Sequence, residues 1–233
     1  MTSLSKNARV AGLLYISASA VGIVRLMYIP NALIVHGNAT ATANNIAAHE
    51  PLFRLGIVSA LIGYCLWLFV PLALYRLLNE VDRQLAVLMV ILGSLMQVPI
   101  AFVNTMTDAA TLLFVRGGGF LSVIDKPQRD AFAMVFLNLH HNVDLANFIF
   151  AGLWLLPFGM LVYRSRFLPR FLGVWLMLEC FAWLAFSFTG FLLPGREERV
   201  FAYSQPLMLA EVATMFWLAI LGAREQRQAA AVS

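Results

Sequence analysis

Residues 52–78, "LFRLGIVSALIGYCLWLFVPLALYRLL", are apolar from end to end, with charged side chains only at Arg54 and Arg76. A run of this length exceeds the about 20 residues that carry a helix across a bilayer. In hydrocarbon every backbone N–H and C=O must find its partner inside the segment, so the run reads as a transmembrane helix. Working outward, further apolar runs at 8–29, 85–115, 130–163, 171–193 and 203–222 predict about six spans in all.

Composition agrees with that reading. The chain is 61% hydrophobic and 12% charged, whereas roughly a quarter of a soluble domain is charged. The spans leave no room for a separate soluble domain. The expected architecture is therefore a single all-α membrane domain over residues 1–233, a polytopic transmembrane helical bundle. A formal net charge of +4 raises the question of an anionic partner. The basic residues stand singly or in pairs at the ends of apolar runs, however, which is the pattern of membrane topology. No nucleic-acid partner is expected. Cys65 and Cys180 fall mid-run and read as small buried apolar residues. The first apolar segment is too long for a cleavable signal and lacks a small-residue cleavage site, so it is expected to remain as the first helix.

An even number of spans puts both termini on one side. The termini and the short turns "LLNEVDRQL" and "VYRSRFLPRF" carry about nine Lys/Arg against three acids, and the opposite side about seven against six. This predicts a cytoplasmic N-terminus and C-terminus, with the long loop 30–51 outside. Within that loop residues 40–49 are expected to form a short helix on the membrane surface. "NAT" at Asn38 fits a glycosylation acceptor, a pattern common by chance. No internal repeat of the transporter kind is present. The third and fourth spans are longer than a bilayer requires, with excess length and polar residues in their outer halves. Pro71, Pro99 and Pro157 predict kinks.

The polar residues fall at helical spacing. In "FLNLHHNVDLANFIF", residues 136–150, His140, Asp144 and Asn147 share one face, and His141 points about 100° away. In the third span Gln97, Asn104, Asp108 and Thr111 form a second stripe, with Ala101 filling the gap. Consecutive spans joined by a short loop are normally adjacent and antiparallel, so the two stripes are expected to face each other. Counting from the span ends puts the cluster toward the outer leaflet. Arg25, Arg54, Glu179 and Glu211 add further ionisable groups in other spans. An uncompensated charge in hydrocarbon costs at least about 2.5 to 3.5 kcal/mol. Four acids against two arginines leave an excess of about two negative charges, to be offset by protons, a cation or solvent.

The candidate ligand-binding set is therefore His140, Asp144, Asn147, Asn104, Asp108, Arg25, Arg54, Glu179 and Glu211. Each has a plainer reading beside it. A His140 to Asp144 hydrogen bond ties spans together, the arginines snorkel to headgroups, and the glutamates make interhelical bonds. Trp175 and Tyr203 read as interfacial anchors.

The catalytic templates fit poorly. A zinc hydrolase needs three protein ligands and an open position. His36 and His49 lie in the outer loop, which leaves a histidine-poor set of His140, Asp108 and Asp144. There is no HExxH motif, no serine in a nucleophile turn, and no histidine pair of the kind that holds a membrane haem. The expectation is a non-enzyme without a cofactor, whose partners are the lipid bilayer and a small polar or amphiphilic ligand. The ligand is expected in an outward-facing polar pocket between the first four spans, its floor reaching Glu179 and Glu211. A metal-dependent intramembrane hydrolase of a lipid-like substrate, and a structural or accessory role, stand as alternatives. No oligomeric state follows from the sequence.

The blocks "ARVAGLLYISASAVGIVRLMYIPNALIV", "LFRLGIV", "LALYRLL", "HHNVDLANFIFAGLWLLPFGMLVYRSRFLPRFLGVWLM" and "LLPG", in this order, carry a likeness that extends over most of the chain, from about Arg9 to Pro194. Together they resemble the bacterial membrane-protein family known as domain of unknown function 4386. The resemblance implies a multi-pass protein of the bacterial cytoplasmic membrane and supplies no activity. Matching positions include Arg54, His140, Trp154, Pro157, Tyr163, Arg164 and Pro169. The last four are implied to set the cytoplasmic end of the fourth span and its turn.

Overall fold

A computed structural model of the chain describes residues 3–23 and 28–223. It is 88% helical, with no strand among the described residues. In chain order the helices are α1 (Ser3–Ile23), α2 (Ile29–Leu33), α3 (Ala39–Ala48), α4 (Glu50–Leu78), α5 (Arg83–Val90), α6 (Gln97–Arg116), α7 (Lys126–Leu153), α8 (Leu155–Arg164), α9 (Arg170–Leu192) and α10 (Glu197–Phe216). A π-helical turn at Ile91–Met96 joins α5 to α6, and a second, Trp217–Leu221, follows α10.

Five helical stretches are long and apolar enough to cross a membrane: Glu50–Leu78, Arg83–Arg116, Lys126–Arg164, Arg170–Leu192 and Glu197–Leu221. The first three contain the apolar runs 52–78, 85–115 and 130–163 read from the sequence, and the last two cover 171–193 and 203–222 but for the final residue of each. The first expected span corresponds to α1, which is not among these five. Arg25 lies outside the described residues. The surface explains the choice of solvent. Val103, Leu113, Phe181, Phe188 and Ile220 are each at least 50% exposed, a display of large apolar side chains suited to lipid rather than water. Cys65 belongs to this exposed surface and only Cys180 is buried. The expectation of two buried thiols is corrected at Cys65.

Two of the three prolines coincide with breaks. Proline lacks an N–H and its ring clashes with the carbonyl four residues earlier, which for Pro99 is Leu95 and for Pro157 is Leu153. The π turn Ile91–Met96 spans the first position, and α7 ends at the second. A wider π turn absorbs the mismatch that an α-helix cannot. By contrast, α4 passes through Pro71 uninterrupted.

The chain divides into two compact units, one of residues 1–16, 68–97 and 148–233, the other of 17–67 and 98–147. The first is built on close backbone approach. A Cβ on Gly159 would lie 2.6 Å from the Gly173 carbonyl oxygen, and one on Gly173 would lie 2.6 Å from that of Gly159, so α8 and α9 meet at a glycine pair. On α1, a Cβ at Gly12 would fall 2.3 Å from the Ala219 nitrogen. Trp154, fully buried, stacks on Phe158 at 5.3 Å and meets Tyr15 at 6.0 Å.

The second unit has a core of Ile29, Leu33, Ile46, Phe53, Leu112 and Leu137. The long loop 30–51 is thereby tied down, because α2 and α3 contribute Ile29, Leu33 and Ile46 to this core. Asn38 caps α3, its side chain accepting from the Ala41 N–H at 2.9 Å. The "NAT" triplet thus has a local structural use as a helix start.

Candidate functional site

In the second unit α6 and α7 present their polar faces to each other around His140. Asn104 on α6 donates through Nδ2 to the His140 carbonyl at 3.0 Å and to Asp144 Oδ1 at 2.8 Å. His140 Nε2 lies 3.2 Å from Asp144 Oδ2, one turn along α7. On its other side Nδ1 lies 3.4 Å from Asp108 Oδ1 and 3.1 Å from Thr107 Oγ1. Thr107 donates its hydroxyl hydrogen to the Asn104 carbonyl at 2.6 Å, so its oxygen is an acceptor toward the ring. Both ring nitrogens therefore face oxygen atoms of neighbouring polar side chains.

Burial is graded across this chain of groups. The Asp144 side chain is 26% exposed, His140 10% and Asp108 fully buried. Of the three, Asp144 is the most open and Asp108 the sealed end. Asn147, one turn beyond Asp144, is half-buried, and His141 is exposed on another face. Thr111 seals the far side by donating to the Thr107 carbonyl at 3.0 Å. Gln97 belongs to the other unit, donating to the Leu92 and Phe150 carbonyls at 3.2 and 3.3 Å.

Arg54 stands apart from this network. It is exposed, and its Nε donates to Glu50 Oε1 at 2.6 Å, one turn back on α4.

The remaining two acids meet in the first unit. The Glu211 backbone N–H donates to Glu179 Oε2 at 2.9 Å, and Trp183 Nε1 donates to Glu179 Oε1 at 3.3 Å. Tyr15 donates its phenol to Glu211 Oε1. Glu179 is fully buried within α9. Beside it, Trp175 Nε1 donates to the Pro206 carbonyl at 3.0 Å, pinning α9 to α10, while Tyr203 is 85% exposed.

Three of these contacts involve residues the sequence reading had passed over. Thr107 lies one residue off the Asn104, Asp108, Thr111 series, and its hydroxyl was the available signal. Trp183 follows Glu179 by one helical turn, so spacing alone points to it. Tyr15 carried only the hint of a hydroxyl deep in an apolar run.

As for a metal, His140, Asp108 and Asp144 do come together, but their polar atoms are directed at one another. Among the described residues no group of three His, Cys, Asp or Glu side chains is arranged to hold a metal ion. Two surface grooves among the described residues are lined by Arg83, Gln84, Val87, Leu88 and Ile91 in the first unit, and by Arg54, Ile57, Ala109, Leu112, Leu113 and Arg116 in the second. Neither contains a residue of the His140 network.

Fold and polar network together define an all-α integral membrane protein with ionisable groups buried in its membrane helices. The family model described as Domain of unknown function (DUF4386) matches residues 10–222, and the chain belongs to that family. No curated protein and no solved structure matches it.

Proposed function

We propose that the protein binds a small, positively charged ligand from the membrane environment, in a transport-related or sensing role, at the Asp144, His140 and Asp108 network. The observation that carries this reading is a histidine held between two carboxylates, one of them fully buried. Ionisable groups in membrane helices are expensive and mark ligand, ion or proton paths. A cationic group arriving at the Asp144 end, where the side chain is 26% exposed, meets a carboxylate already aligned by Asn104 and His140. His140 then acts as the adjustable element, because an arriving cation competes with the ring for the carboxylates. The setting proposed is the bacterial cytoplasmic membrane, with six spans, both termini cytoplasmic and the α2 to α3 segment outside.

A purely structural role has one observation in its favour: Asn104 links α6 to α7 through two hydrogen bonds. The hydrolase reading has no such support, since it requires three ligands around an open position.

The test is a thermal-unfolding screen of the purified protein against small primary and quaternary amines and alkali cations, on wild type, Asp144→Asn and His140→Ala. Compounds that stabilise the wild type lose their effect in both variants. Stabilisation unchanged in both would end the proposal. If no compound stabilises the wild type, the structural reading takes its place.

A further inference from the structure

In the second unit, one end of α4 and one end of α6 carry an arrangement that the His140 network does not use. Glu50 is shared by two arginines. Arg54 Nε donates to its Oε1 at 2.6 Å, while Arg116 reaches Oε1 through Nη2 at 2.7 Å and Oε2 through Nε at 3.0 Å. The guanidiniums remain open to the surroundings, with side-chain exposures of 48% for Arg54 and 59% for Arg116. Both arginines border a groove of about 330 Å³ whose other walls are Ile57, Ala109, Leu112 and Leu113. We infer that this groove holds an anionic phospholipid, its phosphate on the paired guanidiniums and the start of an acyl chain along the four apolar side chains.

Three physical points select that occupant. Two guanidiniums offer ten N–H donors, and one carboxylate has about four lone-pair sites, so donors remain for a second anion. The charge balance is also positive, one excess cation after Glu50 is counted. Planar guanidiniums bind phosphate in bidentate fashion, and Glu50 holds the two of them near one point, so less order has to be imposed on binding. Finally, charge and grease occur in one groove. Arg54 lies in the second turn of a membrane-crossing helix and Arg116 is the last residue of another. Helix ends are where headgroups lie, and the apolar walls continue from the arginines along the helices. A free anion would use the arginines and leave the apolar walls idle. A phospholipid uses both.

The test uses the full chain, purified and reconstituted in nanodiscs of phosphatidylcholine with or without phosphatidylglycerol. Lipid retention is read by native mass spectrometry and stability by thermal unfolding. The expected result is roughly thirtyfold preferential retention of phosphatidylglycerol, since each of the two basic side chains near an anionic headgroup contributes about 1 kcal/mol. Arg54→Gln with Arg116→Gln abolishes that preference, and Arg116→Gln alone reduces it roughly fivefold. Arg54→Lys with Arg116→Lys retains part of it, charge without the fork. Equal retention of the two lipids by wild type overturns the inference without any variant. So does a preference that survives loss of both arginines, and so does full reproduction of the stabilisation by inorganic phosphate alone, which would indicate a free-anion site.

Discussion

Replacing Asp108 by Asn separates what the His140 network contributes to stability from what it contributes to binding. The Asp108 side chain is fully buried, and its carboxylate lies 3.4 Å from His140 Nδ1. Asparagine keeps the shape and one acceptor oxygen, so the substitution weakens a buried polar interaction of about 0.6 to 1.7 kcal/mol. At about 2 to 4 °C per kcal/mol for a chain of this size, the midpoint falls by roughly 1 to 7 °C. The assay is thermal unfolding of the ligand-free protein in one detergent at neutral pH, wild type beside Asp108→Asn, followed by the amine screen on both. The expected variant stays folded, melts within that window below wild type and has lost its response to amines. An Asp108→Asn protein that keeps the full wild-type response to amines refutes the reasoning.

Further predictions concern the framework. Asn104→Leu removes both cross-helix bonds and strands an acceptor of Asp144, lowering stability by about 1 to 3 kcal/mol in the same unfolding assay. Trp154→Ala empties a fully buried site beside Tyr15 and Phe158, and about 3 to 5 kcal/mol of destabilisation is expected, measured as the shift in denaturation midpoint. Gly173→Ala sets a methyl 2.6 Å from the Gly159 carbonyl oxygen. It costs about 1 to 3 kcal/mol, whereas Gly22→Ala, where a Cβ meets nothing within 4 Å, does not incur this overpacking cost.

The facing stripes of α6 and α7 were readable because helical periodicity fixes which residues share a face. Asn104 and Asp108 therefore fall opposite Asp144 and His140, without knowledge of any other contact. Thr107 escaped because a hydroxyl off the main stripe can still reach a ring that sits between two turns. The role of α3 was hidden for a different reason. "ATATANNIAA" is polar enough to suggest a surface helix, and the burial of Ile46 depends on what Phe53, Leu112 and Leu137 leave open. The Glu50 to Arg116 pair joins residues far apart in the chain, and no local pattern announces such a contact. The prolines gave the right neighbourhoods for two breaks. The breaks themselves lie on the N-terminal side, because the offending carbonyl is four residues earlier, and Pro71 shows that a long apolar helix can run through a proline unbroken.

The most direct test of the central claim is an experimental structure of the protein with an amine that stabilises it. The account predicts density for the ammonium group within hydrogen-bonding distance of Asp144, with His140 shifted from its present place between the two aspartates. Density for that amine elsewhere, with the Asp108, His140 and Asp144 contacts unchanged, would contradict it.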